Sequence, residues 1–324
     1  MHYLIIILGF VALTFGANYL VDGASALARR FHVSDLVVGL TVVAFGTSAP
    51  ELVVNIVAAI EGTSEIAFTN VLGSNSINAF IILGISALIF PLAAQKSSIK
   101  FDIPLSVLAG VAVLVLAGDF IGTPSFRGLS RGDALIMLVV FSMFLYHSIK
   151  MSRVPAEVPA GADSGQSPVV KPIMSLGLAL MQVGGGLAAL VLGGNMIVKS
   201  AVALAASWGV SESIVGVTIV AFGTSLPELA TSAMAAAKKN TDIAIGNVIG
   251  SNIFNVFLIL GVSALIRPMP VYANLVMDSL MASLGCFMVW MFTGLGNKHC
   301  ITRWQGLLML AVYGVYLYRL IGRL

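Results

Sequence analysis

The sequence predicts an all-α membrane protein with ten transmembrane helices, built as two inverted five-helix repeats. Three observations predict this class. The composition is too apolar for water, since 58% of the 324 residues are hydrophobic and 10% are charged, with a mean hydropathy of +1.01. Ten apolar stretches recur along the chain, and the two halves match each other when the sequence is shifted by 177 residues.

Each apolar stretch is about 20 residues long, the length that crosses a roughly 30 Å hydrocarbon core as a helix. The stretches lack the alternation of a membrane β-barrel and are twice as long as its strands, so helices are predicted. The first stretch lacks the basic region of a signal peptide and is expected to remain in the mature protein. The ten stretches are 3–21, 36–60, 67–90, 103–119, 131–150, 173–198, 211–236, 243–266, 273–293 and 301–321.

The internal repeat has one offset and no gap. Residues 39–59 match 216–236 at 13 of 21 positions, and residues 70–91 match 247–268 at 15 of 22. Since five helices are an odd number, the two repeats enter the membrane in opposite senses, as in secondary transporters. The predicted division is a first five-helix repeat at 1–150, a flexible proline-rich linker at 151–172 and a second five-helix repeat at 173–324.

Basic residues are unevenly divided between the two sides of the membrane. Eleven of the 17 Lys and Arg lie in the odd-numbered connections, so the positive-inside rule places the linker in the cytoplasm and both termini outside. Because they are scattered one or two per loop, they indicate topology and not a nucleic-acid surface. Cys286 and Cys300 are too few for a disulfide framework and are expected to pack.

Only two of the 14 acidic residues, Glu51 and Glu228, lie well inside predicted spans, and they are equivalent under the repeat. Placing each at mid-membrane costs about 2.5–3.5 kcal/mol, and no Lys or Arg of the same helices lies at that depth. A bound cation is therefore the predicted partner. The alternative is a protonated carboxyl that is hydrogen-bonded within the helix bundle.

Hydroxyl groups share a helix face with each glutamate, because they precede it by three and four positions. They are Thr47 and Ser48 before Glu51, and Thr224 and Ser225 before Glu228. Pro50 and Pro227 lack a backbone N–H, so both helices are expected to break and to free the carbonyls of 44–46 and 221–223. Transporters place their binding sites at such broken helices.

The next helix of each repeat carries the pattern G-S-N-x-x-N. Its serine and second asparagine share one face and would add neutral oxygens: Ser74 with Asn78, and Ser251 with Asn255. Asn75 and Asn252 lie off that face and could instead bond to backbone or to neighbouring helices. The combined oxygens suit Ca²⁺, which takes six to eight hard ligands in flexible geometry, and also Na⁺, whereas Mg²⁺ is disfavoured by its strict octahedral geometry.

The pattern G-T-S-x-P-E followed by G-S-N-x-x-N, found twice, resembles the α-repeats of sodium/calcium exchangers in the calcium/cation antiporter superfamily. The resemblance is close over about 18–91 and 195–268. It implies Na⁺/Ca²⁺ antiport by alternating access, with helices 1 and 6 sliding against a core of helices 2, 3, 7 and 8. It also implies that Ca²⁺ and Na⁺ are bound by Glu51, Glu228, Thr47, Ser48, Thr224, Ser225, Ser74, Asn78, Ser251, Asn255 and the carbonyls of Ala44 and Ala221. Beyond these substrate ions and the lipid bilayer, no cofactor and no obligate protein partner are expected.

Other functions are less compatible with the sequence. Buried neighbouring carboxylates could carry protons instead of sodium, but calcium/proton antiporters usually show G-N-x-x-E at the first motif. Potassium-dependent exchangers carry Asp where this chain has Asn255, so potassium coupling is not expected. The absence of G-x-S-x-G, H-E-x-x-H and Walker A sequences argues against an enzyme, and an inverted duplication favours a carrier over a channel. The short linker excludes the regulatory domain of animal exchangers and points to a prokaryotic inner membrane.

Overall fold

The computed structural model describes residues 2–118, 127–151, 174–207, 221–295 and 299–321. The predicted linker lies outside these ranges, apart from its first residue. Within them the chain forms twelve helical segments: α1 (His2–Phe31), α2 (Asp35–Thr47), α3 (Ala49–Glu61), α4 (Ser64–Ile89), α5 (Lys96–Ala117), α6 (Arg131–Met151), α7 (Leu176–Ser207), α8 (Ala221–Thr224), α9 (Leu226–Ala237), α10 (Thr241–Ile266), α11 (Leu275–Gly294) and α12 (Arg303–Ile321).

The length and hydropathy of these helices are those of a membrane protein. In the described ranges, seven helices are long and apolar enough to cross a bilayer by themselves, and the bent pair α2 and α3 adds an eighth if it counts as one span. The all-α membrane class is therefore confirmed. The predicted stretch 211–236 lies partly outside the described ranges, and α12 is not among the seven, so the count of ten spans stays a prediction.

In the part of the chain that the structure describes, four two-residue strands connect loops from the two halves. Leu92–Ala93 (β1) pairs with Cys300–Ile301 (β4), and Gly128–Leu129 (β2) pairs with Met269–Pro270 (β3). Both pairs are antiparallel. They hold helix ends of the first half next to helix ends of the second half. Because each strand has only two residues, the fold is still all-α.

The two helices that carry G-S-N-x-x-N form the centre of the molecule. In α4 and α10, 72% and 78% of the apolar window is buried, against 28–33% in α1, α6 and α7. The peripheral α1 exposes large side chains such as Tyr3, Phe10 and Phe15, which in a bilayer face the equally apolar lipid. The polar residues of α4 and α10 are thus shielded from lipid by other helices.

Helices α1 and α7 run antiparallel and pack closely through glycine. Gly9 lies against Gly193, and Gly16 lies against Gly186. A Cβ atom added at Gly16 would lie 2.9 Å from the Gly186 carbonyl oxygen, and one added at Gly193 would lie 2.7 Å from the Gly9 carbonyl oxygen. Small residues permit this close approach of backbones in membrane helices. Gly9 and Gly16 are the repeat equivalents of Gly186 and Gly193, so the contact is reciprocal.

Candidate cation site

Both helices that carry a glutamate break at the same motif position. Ser48 separates α2 from α3 with φ −83° and ψ 6°, and the two segments are bent by 48°. Ser225 separates α8 from α9 with φ −85° and ψ 4°. Pro50 and Pro227 stand at the second position of the new helix, where a missing N–H does no harm. The predicted breaks are confirmed, and each places its glutamate in the first turn of a helix, where the helix dipole favours negative charge.

The prediction that the break frees the Ala44 carbonyl is wrong in this conformation, because Pro50 removes only the bond to Gly46 and the partner of Ala44 is the N–H of Ser48. The Ala44 carbonyl accepts from the backbone N–H of Ser48 at 3.0 Å and from the Thr47 hydroxyl at 3.3 Å. To coordinate an ion, it would exchange one of these bonds for the metal contact. Ala221 is the first residue of α8, and the role of both carbonyls stays a prediction.

The two glutamates are completely buried, each with 0% of its surface exposed. The Ser48 hydroxyl donates to Oε1 of Glu228 at 3.1 Å, and the Ser74 hydroxyl donates to Oε1 of Glu51 at 3.3 Å. Because Ser48 belongs to the first half and Glu228 to the second, the two broken helices meet at the site. Two carboxylates in one buried site repel each other when both are charged. A bound cation would relieve this repulsion.

Ser74 connects the remaining elements of the site. Its hydroxyl lies 2.9 Å from Oγ of Ser225, and Nδ2 of Asn255 donates to it at 3.5 Å. Together with Glu51, these contacts join α3, α4, α10 and the break between α8 and α9. The structure thus brings together predicted ligands from both halves of the chain.

Six oxygen atoms of the predicted ligands are buried without a hydrogen-bond partner. They are Oε2 of Glu51 and of Glu228, Oδ1 of Asn78 and of Asn255, and the hydroxyls of Thr224 and Ser251. An unpaired buried oxygen costs about 1–3 kcal/mol, and more when it is charged, so native sites normally satisfy it with water or an ion. Carboxylate, amide and hydroxyl oxygens are the hard ligands that Ca²⁺ prefers. In the described part of the chain, no cluster of three or more His, Cys, Asp or Glu side chains is placed to hold a metal.

The asparagines of the second motif hold one another across the two halves. Nδ2 of Asn78 donates to Oδ1 of Asn252, and Nδ2 of Asn255 donates to Oδ1 of Asn75, both at 3.0 Å. Asn75 and Asn252 in turn donate to each other's backbone carbonyl, at 3.0 and 3.3 Å. With their amide nitrogens fixed in this way, Asn78 and Asn255 retain free side-chain oxygens for an ion. Asn75 and Asn252 therefore take the structural role that was one of their two predicted alternatives.

Asn78 and Asn255 each lie in a π-helical turn of their helix. The turns are Asn78–Ile82 in α4 and Phe254–Leu260 in α10. A π turn inserts one residue into the helical repeat and occurs frequently at functional sites. From the sequence, regular α-helical spacing is expected here, so these turns are not predicted. The amino acids in a π turn do not distinguish it from an α-helix.

Comparison with known proteins identifies the family. The model of the family described as sodium/calcium exchanger protein matches residues 1–150 and 178–322. The chain belongs to this family. It is 31% identical to the sodium/calcium exchanger MaX1 of Methanosarcina acetivorans over an alignment of 356 positions, which covers 98% of this chain and 97% of MaX1. It is also 35% identical over 267 residues to the inner membrane protein YrbG of Escherichia coli K12, covering 82% of this chain and 79% of YrbG.

The fold of this exchanger-family protein is shared with a solved structure. The sodium-calcium exchanger NCX_Mj superposes with a TM-score of 0.82 at 30% sequence identity, and the match covers 98% of both chains. The protein is therefore a multi-pass membrane transporter of a cation antiporter family and not an enzyme. The resemblance that its two motifs carry is confirmed.

Two residues of this exchanger-family site were missed by the sequence reasoning. Asn70 donates through Nδ2 to the backbone carbonyl of Glu51 at 3.3 Å, and Asn247 donates to that of Glu228 at 3.4 Å. Asn247 also accepts from the Thr47 hydroxyl at 3.0 Å. Both asparagines hold the backbone of a glutamate in place. The signal was present, because they are the first identical pair of the second matched segment.

Proposed function

We propose that this protein is an antiporter that exchanges Na⁺ for Ca²⁺ across the membrane by alternating access. The observation that carries the proposal is the pair of fully buried carboxylates, each with one oxygen unpaired and surrounded by neutral oxygen ligands. Two carboxylates give the site a charge of −2, which one Ca²⁺ or several monovalent ions neutralise. The two kinds of ion then compete for one pocket, and the binding of one releases the other.

The architecture that we propose for this transport has ten spans in two inverted repeats, 1–150 and 173–324. The reciprocal glycine contacts of α1 with α7 and the reciprocal amide contacts of α4 with α10 support it, because equivalent residues meet across a local two-fold axis. The linker 151–172 would be cytoplasmic and both termini extracytoplasmic. The name of YrbG as an inner membrane protein supports a prokaryotic inner membrane.

Selectivity in this proposal comes from the neutral part of the site. Asn255 contributes an amide oxygen where a third carboxylate would demand one more cation. We therefore propose exchange that does not require potassium. Both first motifs read G-T-S-x-P-E and not the G-N-x-x-E that calcium/proton antiporters usually carry, which favours sodium over proton coupling.

Counterflow in reconstituted vesicles tests the function. Vesicles loaded with Na⁺ should take up ⁴⁵Ca when diluted into sodium-free buffer, and vesicles with an outward proton gradient and no sodium should not. Uptake driven only by the proton gradient would make the protein a calcium/proton antiporter. No uptake under either gradient, with correctly folded protein, would refute calcium antiport.

A further inference from the structure

One lysine joins the end of the second broken span to the peripheral helix α1. Nζ of Lys238, which directly follows α9, forms an ion pair with Oδ1 of Asp22 at 2.7 Å and donates to the Asn18 carbonyl oxygen at 3.1 Å. Asp22 and Asn18 lie on α1, which also packs along α9. This pair lies on the side that we propose to be cytoplasmic, and it fastens α1 to the site-bearing helices there.

The repeat relates this ion pair to a second pair whose charges are exchanged. Under the shift of 177 residues, Asp22 corresponds to Lys199 on α7, and Lys238 corresponds to Glu61 at the end of α3. Lys199 and Glu61 are both exposed, and in the described ranges neither forms an ion pair. The helices that carry them are apart as well, since α7 and α3 make little contact compared with their equivalents α1 and α9.

The two halves of the molecule therefore differ at equivalent places. The contact between a peripheral helix and a broken helix is closed at one end of the molecule and open at the other. Because α1 and α7 are packed together through glycine along their length, a movement that separates α1 from α9 would carry α7 toward α3. The same movement would bring the opposite charges of Lys199 and Glu61 together.

We propose that Lys199 and Glu61 form an outer latch, which closes when the inner latch of Lys238 and Asp22 opens. This inference rests on the proposed alternating access, since it requires two states. In this proposal, the inner latch stabilises the state described here and the outer latch stabilises the opposite state. The Asp22 side chain is 48% exposed and that of Lys238 is 26% exposed, and exposed ion pairs are weak. Two weak latches of similar strength would let the protein change state without trapping it in either one.

Arg267 places a positive charge near the outer pair. Its guanidinium lies beside Gly62, the residue after Glu61, because a Cβ atom added to that glycine would collide with Nη1 of the arginine. In the open outer face, Glu61 is thus exposed next to a positive charge. Closing the latch would bring the second cation, Lys199, to the same carboxylate.

Cross-linking between the two halves tests the proposal. In the sequence, one partner of each latch precedes the linker 151–172 and the other follows it. Cleavage at a protease site inserted in the linker therefore gives two fragments, which separate on a denaturing gel unless the partners are cross-linked. The variants are Glu61→Cys with Lys199→Cys for the outer latch, and Asp22→Cys with Lys238→Cys for the inner latch. The half-exposed Cys300 is replaced by Ser, and the buried Cys286 is kept. Single-cysteine variants are the controls for a short bifunctional thiol reagent.

We expect both double variants to cross-link and the outer latch to do so more slowly, since it is open in this structure. Adding Asp22→Asn should raise the outer rate by up to about fivefold, which corresponds to roughly 1 kcal/mol for an exposed ion pair. Arg30→Gln, which removes another exposed charge near that end of α1, should not change it. An outer pair that never cross-links while the inner pair does, or an outer rate that Asp22→Asn leaves unchanged, would overturn the proposal.

A charge exchange provides a second test if Asp22→Asn does not fold. Lys199→Glu should slow transport because it places two carboxylates at the outer latch, and adding Glu61→Lys should restore the rate. Failure of the double variant to recover, with normal folding, would refute the pair. Cross-linking needs no transported ion, so it distinguishes failure of the latch from failure of the proposed sodium/calcium exchange, which only the vesicle assay measures.

Discussion

Replacing either buried glutamate by glutamine should strongly weaken calcium binding and abolish exchange while the protein still folds. In Glu51→Gln, the side-chain volume is unchanged, and the new amide keeps an oxygen that can accept from Ser74. The charge is lost, however, and an amide NH₂ group takes the place of Oε2, which has no hydrogen-bond partner in the protein. A donor would then face the cation where a charged acceptor had faced it.

The magnitude follows from the buried position of the carboxylate. Interactions with a charged group are worth about 1.5–3 kcal/mol, and full burial places Glu51 at the upper end because no solvent screens it. A loss of about 2–3 kcal/mol weakens ion affinity roughly thirtyfold to more than a hundredfold. Stability without calcium should be unchanged or higher, since one of two mutually repelling buried charges is removed.

Two measurements on the same purified protein check this prediction. Calcium should raise the melting temperature of the native protein, because an ion that binds only the folded state stabilises it, and this increase should disappear in Glu51→Gln and Glu228→Gln. Sodium-driven ⁴⁵Ca uptake should be lost in parallel. The matched control is Glu65→Gln, which removes the same charge from an exposed glutamate of α4. Near-native uptake in either site variant at equal expression would refute the assignment.

Three further predictions follow from the same structure. Reporter fusions in the linker 151–172 and at the C-terminus should report opposite sides of the membrane, and the same side for both would remove the inverted-repeat architecture. Asn255→Asp should create or strengthen a dependence on a further monovalent ion or proton, measured by titrating potassium on both faces of vesicles at clamped potential. A strict potassium requirement in the native protein would show that Asn255 does not set this selectivity. Asn247→Ala should weaken calcium affinity by roughly fivefold or more, because the Glu228 backbone and the Thr47 hydroxyl each lose a hydrogen bond worth about 1 kcal/mol. Unchanged calcium affinity in a folded Asn247→Ala variant would limit that asparagine to packing.

The positions of the helices were predictable from hydropathy, but their lengths were not. The stretch 3–21 corresponds to α1, which continues to Phe31 through Asp22, Arg29 and Arg30. Hydropathy reports the part of a helix that lies in hydrocarbon, whereas backbone hydrogen bonding continues into the polar layer. The breaks at Ser48 and Ser225 were predictable, because proline removes a specific hydrogen bond.

The site was predictable as a set of residues but not as a set of contacts. The repeat identified the two glutamates and the polar residues near them, since each recurs after 177 positions. It could not show that Ser48 bonds to the glutamate of the other half, because such a contact depends on how two helices cross and not on spacing along one helix. The repeat also contains Asn70, but no side-chain pattern reveals that it donates to a backbone carbonyl.

The reciprocal amide contacts of Asn75 and Asn252 make folding a joint property of the two halves. Each side chain is buried and uses the other's backbone as its acceptor. A first half inserted into the membrane alone would leave its amide donor without that acceptor, at a cost of about 1–3 kcal/mol. During synthesis, the first five helices must therefore wait for the second set before their centre can become fully ordered. Assembly of two separately expressed halves would then depend on their concentrations, as it does for an obligate dimer.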